Sequence, residues 1–243
     1  MRIDSTNSHL SQLVSKEKLP EGAVVITRMQ ERGRGQRGTC WESEAGKNIT
    51  LSLLLKPNFL KPNEQFNLSK AVAVAVIDFA VNCISLVPRP WSLVPMAVKV
   101  KWPNDIYIGN KKVAGILIEN SVSRNSLIHS IIGIGINVNQ EKFSAELLHP
   151  TSLKLISGKE FDLEECFKNI CSCIEKRYLQ LRNHSKEIDS DYLKNLYRFE
   201  ELANYHYKGK TIKTKIIGVS KIGKLVLEKE DGEKLECDIK EVV

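Results

Sequence analysis

Residues 98–138 read VKVKWPNDIYIGNKKVAGILIENSVSRNSLIHSIIGIGINV, and the fold turns on this stretch. Residues 98–102 predict a strand, broken by Pro103-Asn104-Asp105. Residues 106–108 and 112–120 predict a hairpin about Gly109-Asn110-Lys111, and residues 126–138 a further strand. These strands follow one another without helices between them. The expectation is an α+β fold: a mixed or antiparallel sheet backed by helices.

The flanking segments supply the helices. Upstream, residues 67–86 predict a helix with Leu68, Val72, Val76, Phe79 and Cys83 on a buried face. Its apolar residues run almost all round, as in a central helix packed on a sheet. Residues 23–27 and 48–55 (NITLSLLL) read as strands, the first following the turn Pro20-Glu21-Gly22. Asp4, Ser5 and Thr6 are competent N-caps for a first helix reaching about Leu19, with Leu10, Leu13 and Val14 as its stripe. Downstream, residues 150–158 read as a loop with a short helical turn. Asp162 and Glu165 have capping-box spacing at the start of a helix to about Arg182. A further helix is expected over 188–199. From Tyr205 onward, Lys-rich strands over 210–217, 224–229 and 234–239 suggest a small SH3-like barrel. The expected domains are a ligand-binding core, 1–200, and this barrel, 201–243.

At 243 residues the chain has room for one large domain, or one with a small appendage. Hydrophobic content of 42% and charged content of 27% are ordinary for a globular protein. The net charge of +7 is compatible with an anionic partner without requiring one. The basic residues are bunched. Arg28, Arg32, Arg34 and Arg37 are opposed locally by Glu31 alone, and Lys99, Lys101, Lys111 and Lys112 by Asp105 alone. Bunching favours a focused anion site over a broad nucleic-acid face. The six cysteines form no CxxC pair, so a zinc site is not expected and the thiols are read as free in a reducing cytosol. No signal peptide is expected at the N-terminus. No uninterrupted apolar run reaches the roughly 18 residues that span a bilayer.

The Arg-rich window, residues 28–41, reads RMQERGRGQRGTCW. Gly33, Gly35 and Gly38 let the backbone approach a ligand closely, and arginine forks suit phosphate or carboxylate. Composition alone leaves two readings open: a loop folding over an anionic small molecule, or a solvated segment that brushes RNA.

Five patterns stand in order: DSTN at 4–7, GRGQRGxxW at 33–41, KWPND at 101–105, KxAGILIE at 112–119 and GIGIN at 133–137. Together they resemble the catalytic core of biotin protein ligases, from about Ile3 to the C-terminus. The chain departs from the family's fullest pattern in three ways. No N-terminal winged-helix DNA-binding domain is expected before the core, the strand before DSTN is missing or reduced to residues 1–3, and Gln36 stands where some members carry another arginine.

The resemblance implies a two-step reaction. The carboxylate of biotin attacks the α-phosphate of ATP to give biotinyl-5′-AMP and pyrophosphate, and a carrier-domain lysine then takes the biotin. Such chemistry needs positioning and charge neutralisation rather than a protein nucleophile. By the resemblance, Lys112 and Arg34 are the catalytic residues. Ser5, Thr6, Asn7, Gln30, Gly33 and Gly115 join them on the biotin side; Gly35, Gln36, Arg37, Trp41, Asn104 and Asn137 join them on the adenylate side. Gly115 also reads as a strand bulge, Trp41 as a core aromatic, and Ser5-Thr6-Asn7 as a helix cap alone. Asn104 and Asp105 are read either as orienting Mg2+ or ATP, with Asp105 the metal ligand, or as a simple turn. The implied partner is a biotin carboxyl carrier protein or domain of a biotin-dependent carboxylase, in the cytoplasm, with no membrane and no DNA; a homodimer is left open. Two alternatives compete. A lipoate or octanoate ligase of the same fold gives no reason for the Ser5/Thr6/Gln30 set, and an RNA-binding module lacks stacking aromatics on a strand.

Overall fold

A computed structural model of the chain describes residues 2–85, 97–239 and 241. In chain order its elements are β1 (Arg2–Ile3), α1 (Thr6–Lys16), β2 (Val24–Thr27), β3 (Met29–Gln30), β4 (Ile49–Leu55), α2 (Gln65–Ser85), β5 (Val98–Lys101), β6 (Asp105–Ile108), β7 (Lys111–Val122) and β8 (Leu127–Ile136). There follow α3 (Leu153–Ser157), α4 (Leu163–Asn183), α5 (Ser185–Lys194), β9 (Leu202–Tyr207), β10 (Lys210–Val219), β11 (Leu225–Lys229) and β12 (Lys234–Cys237). The architecture is α+β. Strands β2-β4-β8-β7-β6-β5 form one six-stranded sheet in which every pair is antiparallel. A separate parallel ladder joins β1 to β3, pairing Ile3 with Gln30.

Strand periodicity assigns the two faces of the large sheet. In β4, Ile49, Leu51, Leu53 and Leu55 join the main core with α2, while Leu54 packs under α1 with Leu10 and Ile131. In β8, Ile132, Ile134 and Ile136 enter the main core. The residues between them, Gly133 and Gly135, lie on the opposite face by the two-residue period of a strand. Covered on both sides, β4 is buried along its whole length. Helix α2 is long and apolar enough to cross a bilayer by length and composition, but it is mostly buried, packed against the sheet, α4 and α5. It is a core helix. Leu86, where this helix was expected to end, lies outside the described residues.

Two expectations need correction. The helix expected over 188–199 runs Ser185–Lys194. The chain leaves it because its backbone finds partners on β5: Val100 N–H donates to Asn195 O and Tyr197 N–H to Val100 O, both at 2.8 Å. This contact covers an otherwise bare sheet edge. The box at Asp162 is only half formed. Asp162 Oδ1 accepts from Glu164 N and Glu165 N at 2.8 and 2.9 Å, while Glu165 turns outward to Lys168.

Strands β12-β11-β10-β9 form a four-stranded antiparallel sheet, consistent with a small SH3-like barrel. Its β10–β11 turn docks on the core. Trp102 Nε1 donates to Gly223 O at 3.0 Å, and Gly223, at φ 91°, sits so close to Phe66 that a Cβ would lie 2.6 Å from the ring. Both the positive φ and the contact require glycine. Gly223→Ala is therefore expected to cost on the order of 1–3 kcal/mol and to lower the melting temperature by several degrees, measured by thermal denaturation.

Candidate active site

The β1–β3 ladder sets the N-terminal motif beside Gln30. Thr6 N–H donates to Gln30 Oε1 at 2.7 Å, and the Thr6 hydroxyl lies 3.1 Å from the same oxygen. The hydroxyls of Ser52 and Thr6 are 2.8 Å apart, and Ser52 also donates to Asn7 Oδ1. Ser5, Thr6, Asn7 and Ser52 are all buried. Ser5 occupies the N-cap position of α1, yet its side chain makes no cap bond. Ser5 lines a cavity of about 560 Å3 on the glycine-bearing face of the sheet. That volume is in the range of small-molecule sites.

The Arg/Gly segment arches over this cavity. Trp41 N–H donates to Gly33 O at 2.9 Å, and Gly35 N–H to Thr39 O at 2.7 Å. A Cβ on Gly33 would run into the Trp41 carbonyl, and one on Gly35 into the Thr39 hydroxyl. The chain then turns through Gln36–Gly38, with Gly38 at φ 82°. The arch lays the Trp41 ring across Gly115 and Gly135, which face each other in register on β7 and β8. Any side chain on Gly135 would occupy the space of that ring. Trp41 Nε1 is buried without a hydrogen-bond partner.

The cations are held by carboxylates. Lys112 Nζ lies 2.7 Å from Asp105 Oδ1 and 5.7 Å from the Trp41 ring centroid. The Lys112 backbone is fixed on both sides, its N–H donating to His149 O and its carbonyl accepting from Thr151 N–H, each at 2.8 Å. Arg34 grips Glu119 through both terminal nitrogens, Nη2 to Oε1 at 2.7 Å and Nη1 to Oε2 at 3.3 Å. Asn104 clamps β7: its Nδ2 donates to Ile116 O at 2.7 Å and its carbonyl accepts from Ile116 N–H at 3.0 Å. Asn137 is buried, donating Nδ2 to Thr151 O at 3.0 Å while Oδ1 has no partner. Burial, and then the charge of Asp105, pushes the Tyr107 phenol at the cavity wall up to about 12, so it stays a neutral hydroxyl.

The cavity brings together Ser5, Thr6, Asn7, Gln30, Arg34, Gly35, Gln36, Trp41, Asn104, Asp105, Lys112, Gly115 and Asn137. Gly33 is not among the lining residues; its carbonyl holds the Trp41 backbone N–H. The side chain of Arg37 lies outside the described residues. Residues to which the sequence reading gave no role also matter here: Ser52 and Tyr107, and, inside the motifs, Glu119, Gly133 and Gly135. Ser52 is the polar residue in the middle of NITLSLLL, and the alternation in GIGIN at 133–137 marks the two glycines. Among the described residues, no three His, Cys, Asp or Glu side chains gather as a metal site, and Asp105 is engaged by Lys112. These side chains alone do not make a magnesium cage.

Residues 1–137 match the model of the biotin/lipoate A/B protein ligase family. The chain belongs to this family. It is 36% identical over 187 residues to the bifunctional ligase/repressor BirA of Bacillus spizizenii, covering 75% of this chain and 53% of that protein. It is 30% identical over 190 residues to the biotin–[acetyl-CoA-carboxylase] ligase of Mycobacterium tuberculosis, covering 77% of this chain and 66% of that protein. The chain thus spans about half the length of the BirA relatives it matches. Among solved structures, the biotin protein ligase from Aquifex aeolicus in complex with biotin and ATP superposes with a TM-score of 0.77 at 26% identity, covering 100% of this chain and 95% of that one.

For this family member, the glycine floor yields a direct test. Gly135→Ala should lift the Trp41 ring off the sheet, at a cost of about 1–3 kcal/mol from overpacking. The Trp41 emission, isolated by difference from Trp41→Phe, should shift to longer wavelength; an unchanged spectrum would contradict the packing described.

Proposed function

We propose that the chain activates biotin with ATP to biotinyl-5′-AMP and passes the biotin to a lysine of a biotin carboxyl carrier domain. One observation carries this reading: a single cavity is lined both by a buried cluster of hydroxyls and amides, Ser5, Thr6, Asn7 and Gln30, and by two carboxylate-held cations, Arg34 and Lys112. The cluster suits a ureido head that donates and accepts hydrogen bonds. A fatty or lipoyl chain would leave such groups unpaired, at roughly 1–3 kcal/mol each. The match to a biotin protein ligase in complex with biotin and ATP supports the same reading.

In the first step a biotin carboxylate oxygen attacks the α-phosphorus, the bond to the β-phosphate bridging oxygen breaks, and pyrophosphate leaves. Lys112 and Arg34 offset the charge that gathers on the phosphoryl oxygens, Lys112 as a point charge oriented by Asp105 and Arg34 through its planar fork. Gly115 leaves backbone room for the ligand, and Trp41 with Asn137, whose Oδ1 awaits a donor, serves the adenosine end. In the second step the acceptor lysine, as free amine, attacks the acyl carbon, AMP leaves, and the amine loses a proton. The Arg/Gly arch with Gly33, Gly35, Gln36 and Arg37 shields the water-sensitive anhydride. The reading places this work in the cytoplasm, assigns this segment no DNA, and is served equally by a monomer or a homodimer.

Two measurements test it. Lys112→Ala should reduce biotin-dependent ATP–pyrophosphate exchange by about 100-fold or more with the fold intact by circular dichroism; exchange at the wild-type rate would remove Lys112 from the reaction. Biotin with ATP and Mg2+ should raise the melting temperature, since a ligand at 100 times its Kd adds about 2.7 kcal/mol. A shift with lipoate and none with biotin would reassign the substrate.

A further inference from the structure

Glu119 lies on the same face of β7 as Gly115, four residues on, and its carboxylate is shared. Oε1 accepts from Arg34 Nη2 at 2.7 Å, while Oε2 accepts from Arg34 Nη1 at 3.3 Å and from Asn7 Nδ2 at 2.9 Å. Asn7 in turn accepts from Ser52 on β4 and packs against Gly133 on β8. One carboxylate therefore connects the arch, the N-terminal polar cluster and the sheet.

A guanidinium has five N–H donors and two edges that can meet an anion side by side. Glu119 takes the end formed by Nη1 and Nη2. The edge formed by Nε and the second Nη2 hydrogen has no partner among the described residues. An arginine on a glycine-rich arch would otherwise sample many rotamers, each with its own entropy to lose on binding. We propose that Glu119 is a positioning residue: it fixes Arg34 end-on so that the side-on edge is left for the anion of the substrate, and through Asn7 it keeps that edge in register with the polar cluster. The proposal rests on the ligase reading of the cavity.

Its contribution is orientation rather than stability. The pair is exposed, with side chains 46% and 37% accessible, and pairs of this kind contribute about 0–1 kcal/mol to folding. A misplaced catalytic group, by contrast, can cost about 100-fold in rate. The two roles are therefore separable by experiment.

Biotin-dependent pyrophosphate exchange by the wild-type chain comes first; its absence would overturn the ligase reading and this inference with it. With the wild type active, Glu119→Gln should melt within about a degree of wild type, as expected for an exposed pair. Exchange should nevertheless fall roughly 10- to 100-fold, the scale of a misplaced group. Without ligands, trypsin should cut the 28–37 arch faster in Glu119→Gln than in wild type. That acceleration should vanish when both chains also carry Arg34→Ala, because the tether is then already gone. Exchange within twofold of wild type would overturn the proposal while leaving the ligase reading standing. So would equal acceleration in the two backgrounds, which would mark Glu119 as a general surface prop. Should Glu119→Gln fail to fold, Glu119→Asp, which keeps the charge but cannot reach both Arg34 and Asn7, serves the same comparisons.

Discussion

The site depends on a constraint of strand geometry: side chains on a strand alternate between faces. In β8 that alternation sends Ile132, Ile134 and Ile136 into the core against α2 and leaves Gly133 and Gly135 on the other face. Across the ladder, Gly115 of β7 stands opposite Gly135. Three missing side chains make a depression in this face of the sheet. The Trp41 ring and the Asn7 amide rest in it. A one-residue slip in register would turn isoleucines into that space and glycines into the core, abolishing the cavity and the core together.

Around this floor the polar groups are arranged in pairs. Each candidate catalytic cation is met by a carboxylate from the same sheet, Lys112 by Asp105 and Arg34 by Glu119. Both pairs are partly open to solvent, so they carry little folding energy. Their value is geometric, since a long cationic side chain held in one place has less entropy to lose when an anion arrives. Buried acceptors and donors without partners, Asn137 Oδ1 and Trp41 Nε1, lie at the same cavity. Unpaired buried polar atoms are costly, and although Tyr192, Tyr205 and Thr214 carry others elsewhere, these two fit a surface completed by a ligand.

The C-terminal sheet is tied to this arrangement through Trp102. That residue begins the turn Pro103-Asn104-Asp105, and its indole donates to Gly223 in the β10–β11 turn. Asn104 then clamps β7 through Ile116, and Asp105 meets Lys112. A run of four residues thus connects the docking of the small sheet, the register of β6 on β7 and the orientation of the candidate catalytic lysine.

The sequence by itself determined the α+β class, the order of the main strands, the central helix and the family, because strand alternation, turn residues and spaced motifs are local signals. The motifs also named most of the cavity lining. Other features were legible only in part: the alternation in GIGIN was visible, but not that Gly135 lies against the Trp41 ring and Gly133 against Asn7. The extent of α5 and the strand β3 were decided by tertiary contacts, since a backbone partner on β5 or β1 lies far away in sequence. The same holds for Glu119. Nothing near it in the chain shows that its carboxylate meets Arg34, 85 residues earlier, and Asn7, 112 residues earlier. Local chemistry selected which residues could act, and only the closing of the sheet under the arch decided which of them act together.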